Sequence, residues 1–209
     1  MRKKRPIDRR QEHLRDTSLI VIASEDRYAV KQYFDLFRSV RVQVRVLETE
    51  DGLSSPGAVL GRLDDYIQEY DIGPDDSFWF VTDTDHWVEP GHIANLTRVI
   101  QECKQKKIGV AISNPCFDLW LLMHFSKGEL PLAATCKEIG ELLRSEVGYY
   151  DKKRIYGLPF TVDSVNEAVT RSRALFAEHE VIPVHLQSGV HLIIDQLVQR
   201  DALRLGTVD

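Results

Sequence analysis

The chain has no long apolar run and few cysteines, and both absences narrow the classes of protein to which it can belong. No stretch approaches the roughly 20 apolar residues of a membrane-spanning helix, and the start MRKKRPIDRR contains no apolar segment typical of a secretory signal. We therefore expect a cytoplasmic protein that does not enter a membrane. The three cysteines, Cys103, Cys116 and Cys136, include no CxxC pair, which argues against a zinc site or a disulfide framework and predicts free buried thiols.

Charge is unevenly distributed along the chain. With 209 residues and 43% hydrophobic content, the chain is long enough for one well-packed core. Residues 1–16 hold seven Arg or Lys and three acids, a net of +4, which leaves 20 basic and 29 acidic residues, a net of −9, in the remainder. A basic arm of this type either contacts phosphates or an acidic partner, or is a solvated tail.

Strand-like and helix-like segments alternate four times through the first part of the chain. Short apolar runs at 18–24, 77–82 and 108–113 are typical of strands buried on both faces, and VRVQVRV at 40–46 fits a half-exposed strand. Apolar residues at helical spacing separate these runs. Such alternation calls for a mostly parallel sheet with helices on both faces, because each parallel connection needs a crossover. The predicted fold class is α/β.

The C-terminal third is predicted to be mainly helical. We expect residues 17–130 to form the α/β core and residues 131–209 a helical extension packed on it, with a long loop at GYYDKKRIYGLP (148–159) and a last helix within SGVHLIIDQLVQRD (188–201). Further helix starts are predicted from capping residues, namely Asn114 with Pro115, Thr135 with Glu138, and Ser164 with Glu167.

Acidic residues follow two of the predicted strands. Glu25 comes after the run at 18–24, and Asp83 and Asp85 follow the run at 77–82 in FWFVTDTDHW. Ligands of open parallel sheets bind at the carboxyl ends of strands, and residues two apart on an extended chain point the same way. Three acids there would repel one another unless a hard cation neutralised them. The pattern predicts a magnesium or manganese site, whereas the structural alternative is a loop cap and a solvated turn.

Two motifs resemble a known family. IVIASE (20–25) followed by FWFVTDTD (78–85) resembles the Toprim domain of topoisomerases, primases and nucleases. SNPCFDLWLLMHF (113–125) resembles the signature of the RloB-like family, Toprim-type proteins of restriction and phage-defence loci that are often encoded beside an ABC-type ATPase. HLQSGVHLIIDQLV (185–198) is similar to the closing helix of that family. The resemblance implies metal-site acids at Glu25, Asp83 and Asp85, and signature-helix residues at Asn114, Asp118 and His124.

The first loop departs from the family pattern. After the first glutamate the family usually has a glycine and, a few positions on, a Thr-Glu pair, whereas this chain has SEDRYAVKQYF at 24–34. Asp26 replaces the glycine, and Tyr28 and Ala29 stand where the Thr-Glu pair would fall. This departure is compatible with a regulatory role for this member of the family.

Other polar residues have both a structural and a functional interpretation. His124 lies on a helix surrounded by apolar groups, which favours a hydrogen-bonded core histidine over a ligand. Asp118 is in the first turn of that helix, where it either supports or binds a metal. His86 contacts a phosphate or caps a loop. A short basic run is either a phosphate clamp or a solvated face, and it consists of Lys152, Lys153 and Arg154.

Taken together, the sequence predicts a magnesium-dependent Toprim-type nuclease that cuts DNA or RNA as an anti-phage effector with an ATPase partner. The metal would polarise the scissile phosphate, while Glu25 binds a second metal or acts as general acid/base. One alternative is a non-catalytic metal- or nucleotide-binding regulatory subunit of a defence ATPase. Another is a phosphatase of the haloacid-dehalogenase type, which is disfavoured because its DxD motif normally ends the first strand.

Overall fold

A five-stranded sheet forms the centre of the protein in a computed structural model that describes residues 2–4, 17–49, 52–89, 91–177 and 180–204. The strand order is β2-β1-β3-β4-β5. Strands β1 to β4 are parallel to their neighbours and β5 is antiparallel to β4, so the predicted α/β class with a mostly parallel sheet is confirmed. The strands are β1 (Ser18–Ser24), β2 (Val42–Leu47), β3 (Ser77–Asp83), β4 (Gly109–Asn114) and β5 (Gln187–Ser188).

Helices connect the strands and make up most of the C-terminal third. In the described part of the chain, no helix is both long enough and apolar enough to cross a membrane. A short 3-10 helix, Ile155–Gly157, lies within the predicted loop at 148–159. The α-helices are α1 (Ala29–Phe34), α2 (Pro56–Glu69), α3 (Ile93–Gln105), α4 (Asp118–Phe125), α5 (Cys136–Val147), α6 (Val162–Leu175) and α7 (His191–Gln199).

The predicted helix start at Asn114 is wrong. Asn114 is the last residue of β4 and is joined to Pro115 by a cis peptide bond, and α4 begins only at Asp118. The side-chain oxygen of Asn114 accepts a hydrogen bond from the Thr84 hydroxyl at 2.7 Å. It therefore links the ends of β3 and β4 and does not cap a helix.

The other predicted helix starts have mixed outcomes. The capping box of Thr135 and Glu138 at α5 is present. The box at α6 is formed by Thr161 and Ser164, three residues before the predicted pair, so the helix begins one turn earlier. The predicted last helix is present within 188–201 as α7, and Gln187 and Ser188 just before it pair with β4 as strand β5, which was not predicted.

Each face of the sheet is covered by its own apolar cluster. Alternate residues of β1 point to opposite faces, as expected of a strand buried on both sides. Ile20 and Ile22 pack with α1, α4 and the C-terminal helices α5 to α7. Leu19 and Val21 pack with α2 and α3. The C-terminal helices thus share an apolar cluster with the sheet, and the predicted domain boundary at residue 130 stays a prediction.

Most of the predicted basic arm, residues 1–16, lies outside the described residues, which include only 2–4 and begin again at 17. Within them, the backbone N–H of Lys3 donates to the carbonyl of Glu69 at 2.9 Å, and the N–H of Asp71 donates to the carbonyl of Lys3 at 2.8 Å. The Lys3 ammonium also pairs with the Glu69 carboxylate. This short segment therefore lies against the end of α2.

The cysteines are only partly as predicted. Cys103 is free and buried, in agreement with the prediction. Cys116 and Cys136 instead form a disulfide with their Cα atoms 5.7 Å apart, so the prediction of free thiols is wrong for this pair. The two lie 20 positions apart in sequence, and they meet because the chain passes through α4 and returns to begin α5 beside the loop before α4.

We expect Cys136→Ser to lower the free energy of unfolding by about 3 kcal/mol, the loop-closure entropy of a cross-link over about 20 residues. Urea denaturation with and without a reducing agent measures the effect. The reduced wild type should resemble the variant, and the variant should not respond to the reductant. Cys103→Ala is the control, because it should keep the response of the wild type. Equal stability of the oxidised and reduced wild type would contradict the expectation.

Candidate functional site

Four aspartates gather at the carboxyl ends of the parallel strands. Asp26 follows β1, Asp83 ends β3, Asp85 follows β3, and Asp118 begins α4. Asp83 and Asp118 are buried, the side chain of Asp26 is 6% exposed, and that of Asp85 is 25% exposed. Burial raises the pKa of Asp118 and raises that of Asp83 well above its ordinary value. These carboxyls therefore become charged less readily than carboxyls in water.

Lys152 brings positive charge into this cluster. Its Nζ lies 3.0 Å from Asp26 Oδ2 and 3.9 Å from Asp118 Oδ1. Burial lowers the pKa of Lys152, but the carboxylates of Asp26, Asp83 and Asp118 outweigh burial and raise it overall. An ammonium ion thus supplies part of the neutralising charge that the sequence predicted a metal would provide. The prediction that Lys152 belongs to a phosphate clamp stays a prediction.

One carboxylate oxygen of Asp118, Oδ1, accepts no hydrogen bond from the described residues. Among the described residues, no group makes a hydrogen bond to its buried Oδ1 or to the buried hydroxyl of Tyr150 nearby. Tyr150 is close enough to influence the pKa of Asp118, but the geometry of the pair is not that of a hydrogen bond. Gly140 of α5 leaves room here, since a Cβ at that position would lie 3.6 Å from Asp118 Oδ2. A buried acceptor without a donor is costly unless a cation or water satisfies it.

Glu25 holds the backbone at the end of β3. Its Oε1 accepts hydrogen bonds from the Thr82 hydroxyl, at 2.9 Å, and from the N–H of Asp83. Its Oε2 accepts from Trp87 Nε1. Burial raises the pKa of Glu25, although these hydrogen bonds favour the ionised form. A carboxylate has about four acceptor positions, so these three donors occupy most of them.

The other side of the Asp83 turn is held by the end of β4. The N–H groups of Thr84 and Asp85 both donate to the carbonyl of Pro115, at 3.1 and 3.2 Å. The Asn114 amide accepts from Thr84 and donates to the carbonyl of His185 at 2.9 Å. The segment that carries Asp83 and Asp85 is therefore fixed from both neighbouring strands, and Asn114 acts there as a structural link.

His124 is a core residue. It is buried, its Nδ1 lies 2.8 Å from the carbonyl of Trp120, and its Nε2 lies 3.0 Å from the Tyr33 hydroxyl. Burial lowers its pKa to about 3, so the ring is neutral at physiological pH. Six residues separate it from Asp118, or about 9 Å along the helix. The structural interpretation of His124 fits these contacts.

Of the remaining predicted residues, His86 contacts an aspartate of the cluster, whereas Lys153 and Arg154 have other partners. The side chain of His86 is 79% exposed, with Nε2 3.7 Å from Asp85 Oδ2. Lys153 Nζ lies 5.9 Å from the centroid of the Tyr28 ring. Arg154 is exposed and is tied to the loop through its N–H, which donates to the carbonyl of Asp151 at 2.8 Å.

Asp26 was missed as a site residue by sequence reasoning, which noted it only as a departure from the family glycine. Its Oδ1 accepts from the N–H groups of Tyr28 at 2.8 Å, of Ala29, and of Val30 at 3.3 Å, so it caps α1. The usual capping residue lies immediately before the first helical residue, whereas Asp26 lies three residues before Ala29, so the capping rule did not identify it. Its second oxygen pairs with Lys152, and nothing in the sequence indicated that partner.

A second group of ligand atoms adjoins the cluster. One ligand atom each from Cys116, Asp118 and Cys136 lies within 4.8 Å of the others. Metal binding by cysteine requires a thiolate, and both sulfurs are engaged in the disulfide. In this state the disulfide fixes the start of α5 against the loop before α4, two residues from Asp118.

We expect Asp83→Asn to stabilise the metal-free protein by roughly 1 kcal/mol at neutral pH, the size of a typical stabilising change. A carboxyl whose pKa is raised by folding weakens stability as the pH climbs above its unfolded value, 3.8. The gain should therefore be small near about pH 4 and grow towards about pH 7. Thermal unfolding across this range measures it. Asp85→Asn, at a more exposed position, should show a smaller gain. A gain that does not vary with pH would refute the explanation.

Comparison with known proteins identifies the family of the chain. The family model described as RloB-like protein matches residues 20–197. No match was found among curated proteins, and none among solved structures. The matched range spans most of the chain and contains all four aspartates of the cluster, Glu25 and Lys152. The chain therefore belongs to the RloB-like protein family.

Proposed function

We propose that the chain is a magnesium-dependent nuclease of anti-phage defence, with a Toprim-type active site at the aspartate cluster. The observation that carries the proposal is the gathering of four aspartates at the carboxyl edge of the sheet. The ammonium of Lys152 pairs with Asp26 and Asp118 and is influenced by Asp83, and Asp85 is near enough to Asp83 and Asp118 to raise the pKa of both. Four carboxylates exceed the charge of one lysine. Such an excess at the edge where α/β proteins bind ligands favours a cation-dependent reaction on an anionic substrate.

The residues present offer the donor atoms that magnesium and manganese prefer, although the oxygens of Asp83, Asp85 and Asp118 do not all lie within 4.8 Å of one another in this structure. Asp83, Asp85 and Asp118 offer carboxylate oxygens, the ligands that these hard cations prefer, and Asp118 Oδ1 is a buried acceptor without a hydrogen bond among the described residues. When bound, the metal would supply Lewis-acid stabilisation of charge on the scissile phosphate. We assign Asp83 and Asp118 as its ligands and leave Asp85, the most exposed of the four aspartates, for proton transfer.

The other side chains are assigned to positioning and proton transfer. Lys152 donates to a phosphate oxygen of the substrate, since its ammonium group already lies among the acids and its side chain is 40% exposed. Asp85, the most exposed of the four aspartates, accepts the proton of the attacking water. Glu25, which the sequence suggested as a general acid/base or second metal ligand, is assigned to holding the turn, because Thr82, Asp83 and Trp87 occupy its oxygens.

Two alternatives make different use of the same residues. In a regulatory subunit, Lys152 would be the permanent counter-ion and the cluster would not cut nucleic acid; its pairing with Asp26 and Asp118 is the observation that favours this reading. A phosphatase of the haloacid-dehalogenase type needs Asp83 as an ionised nucleophile. The place of Asp83 at the end of the third strand argues against the phosphatase, whose DxD motif normally ends the first strand.

We expect wild-type protein with magnesium to cut DNA or RNA, and Asp83→Asn with Asp85→Asn to lower the rate by about 100-fold or more, as loss of electrostatic stabilisation does. Glu25→Gln should also inactivate the protein by loosening the turn. Glu141→Gln, an exposed acid of α5, is the control and should keep full activity. Gel assays on labelled strands, with folding checked by thermal unfolding, measure these rates. Cutting by the double variant would refute the active-site assignment.

We also propose that an ABC-type ATPase is the partner of this chain. The sequence outside the basic arm carries a net charge of −9, and nucleic acid is a polyanion. An acidic body repels such a substrate over the roughly 8 to 10 Å of the Debye length at physiological salt. One magnesium ion offsets only about two of these charges. A basic surface on the partner would supply the rest.

We therefore expect the isolated chain to cut feebly at physiological salt and the co-expressed pair to cut at least about ten times faster, within the range that electrostatic steering gives. Pull-down of a co-expressed ABC-type ATPase, followed by the same gel assay, measures both binding and rate. An ATPase with its own nucleotide site inactivated is the control for energy coupling. Efficient cutting by the chain alone, with no gain in rate from the ATPase, would contradict the proposed partnership.

A further inference from the structure

An exposed aromatic ring lies next to two cations beside the aspartate cluster. Tyr28 is 37% exposed, and its ring centroid is 5.5 Å from Cζ of Arg27 and 5.9 Å from Nζ of Lys153. Arg27 and Tyr28 belong to the loop between β1 and α1, whereas Lys153 belongs to the loop between α5 and α6. Two separate segments thus build one surface that combines a π face with positive charge, the composition that holds bases and phosphates of single strands.

Hydrogen bonds fix both segments in place. Asp26 Oδ1 accepts from the N–H of Tyr28 at 2.8 Å. Gln32 of α1, which is buried, donates from Nε2 to the carbonyl of Lys153 at 2.9 Å and accepts at Oε1 from the N–H of Ile155 at 2.9 Å. The backbone that carries the Tyr28 ring and the Lys153 side chain is therefore held in place before any ligand arrives, which reduces the ordering cost of binding.

The same contacts join this surface to the aspartate cluster. The carboxylate that holds the backbone of Tyr28 also pairs with Lys152 through its other oxygen, at 3.0 Å. Asp26 is near enough to Asp83 to raise its pKa. A strand that approaches the acidic edge from this side would meet Tyr28 and the two cations first, so that its phosphates find positive charge before they reach the carboxylates.

We propose that Tyr28, with Arg27 and Lys153, stacks an unpaired base of single-stranded nucleic acid, so that the site acts on single strands and not on duplexes. This inference rests on the proposed function, since it takes nucleic acid as the substrate. A base inside a duplex has both faces covered by its neighbours, and only an unpaired base can lie on a protein ring. Since every base has a π face, little dependence on base sequence is expected.

The test is binding of a short single strand, as DNA and as RNA, that carries a fluorescent adenine analogue quenched by stacking. It uses the full chain at low salt with a chelator, so that the strand stays intact. We expect wild type to quench the analogue. Tyr28→Ala should lose the quenching and bind about 5- to 100-fold more weakly, the range expected for one stacked base. Tyr28→Trp should keep both the quenching and the affinity of wild type, because the larger ring still offers a stacking face.

Tyr149→Ala is the matched control. Tyr149 is 67% exposed in the loop that also carries Lys153, and no described cation lies over its ring, so its removal should leave binding and quenching unchanged. Quenching by Tyr28→Ala equal to wild type, no binding at low salt, or equal affinity for the matching duplex would each overturn the proposal. Stacking lost in Tyr28→Ala, with no cleavage by any variant, would support this surface and contradict the nuclease. If wild type and Tyr28→Ala both cleave duplex and single strand at equal rates, the nuclease is supported and the stacking surface is contradicted.

Discussion

The candidate site depends on one buried ammonium group. Lys152 lies among Asp26, Asp83 and Asp118, and buried carboxylates without an opposite charge cost several kcal/mol each. The aspartates come from residues 26 to 118, whereas the lysine comes from a loop near the middle of the C-terminal third. The charge balance of the sheet edge is therefore supplied by a distant part of the chain. The same two regions also share the apolar cluster that joins α4 to α5, α6 and α7. The site therefore needs both the strands that carry the aspartates and the C-terminal region that carries Lys152.

Strand alternation divides the acids of this edge into two roles. Asp83 continues the face of Val81, which packs in the cluster with α1 and α4, and there it meets the charge of Lys152. Glu25 continues the face of Ala23, towards α2 and α3, where Thr82 and Trp87 donate to it. Glu25 is close enough to Asp83 to raise its pKa, yet the two carboxylates have different partners. One carboxylate is available for a ligand, and the other fixes the backbone that presents it.

Local signals in the sequence were sufficient for most of the fold. The four parallel strands, the capping box of Thr135 and the place of Asp83 and Asp85 follow from short apolar runs, capping spacing and the rule that parallel strands end at one edge. What failed depends on contacts between distant segments. The disulfide of Cys116 and Cys136, strand β5 and the partner of Asp26 each require knowledge of how the C-terminal helices return to the sheet, which periodicity and spacing do not contain.

The role of the altered first loop also depends on a contact between distant segments, the pairing of Asp26 with Lys152. A glycine at position 26 would provide neither a cap for α1 nor a partner for Lys152, whereas Asp26 does both. The aspartate adds a negative charge to an already acidic edge, and Lys152 offsets that charge locally. Residue 28, where the family pattern would place part of a polar pair, instead carries an aromatic ring next to Arg27 and Lys153. In place of the glycine and the polar pair, the loop of this chain has an acid that pairs with Lys152 and an aromatic ring beside two cations. The loop therefore still carries groups that can contact a ligand.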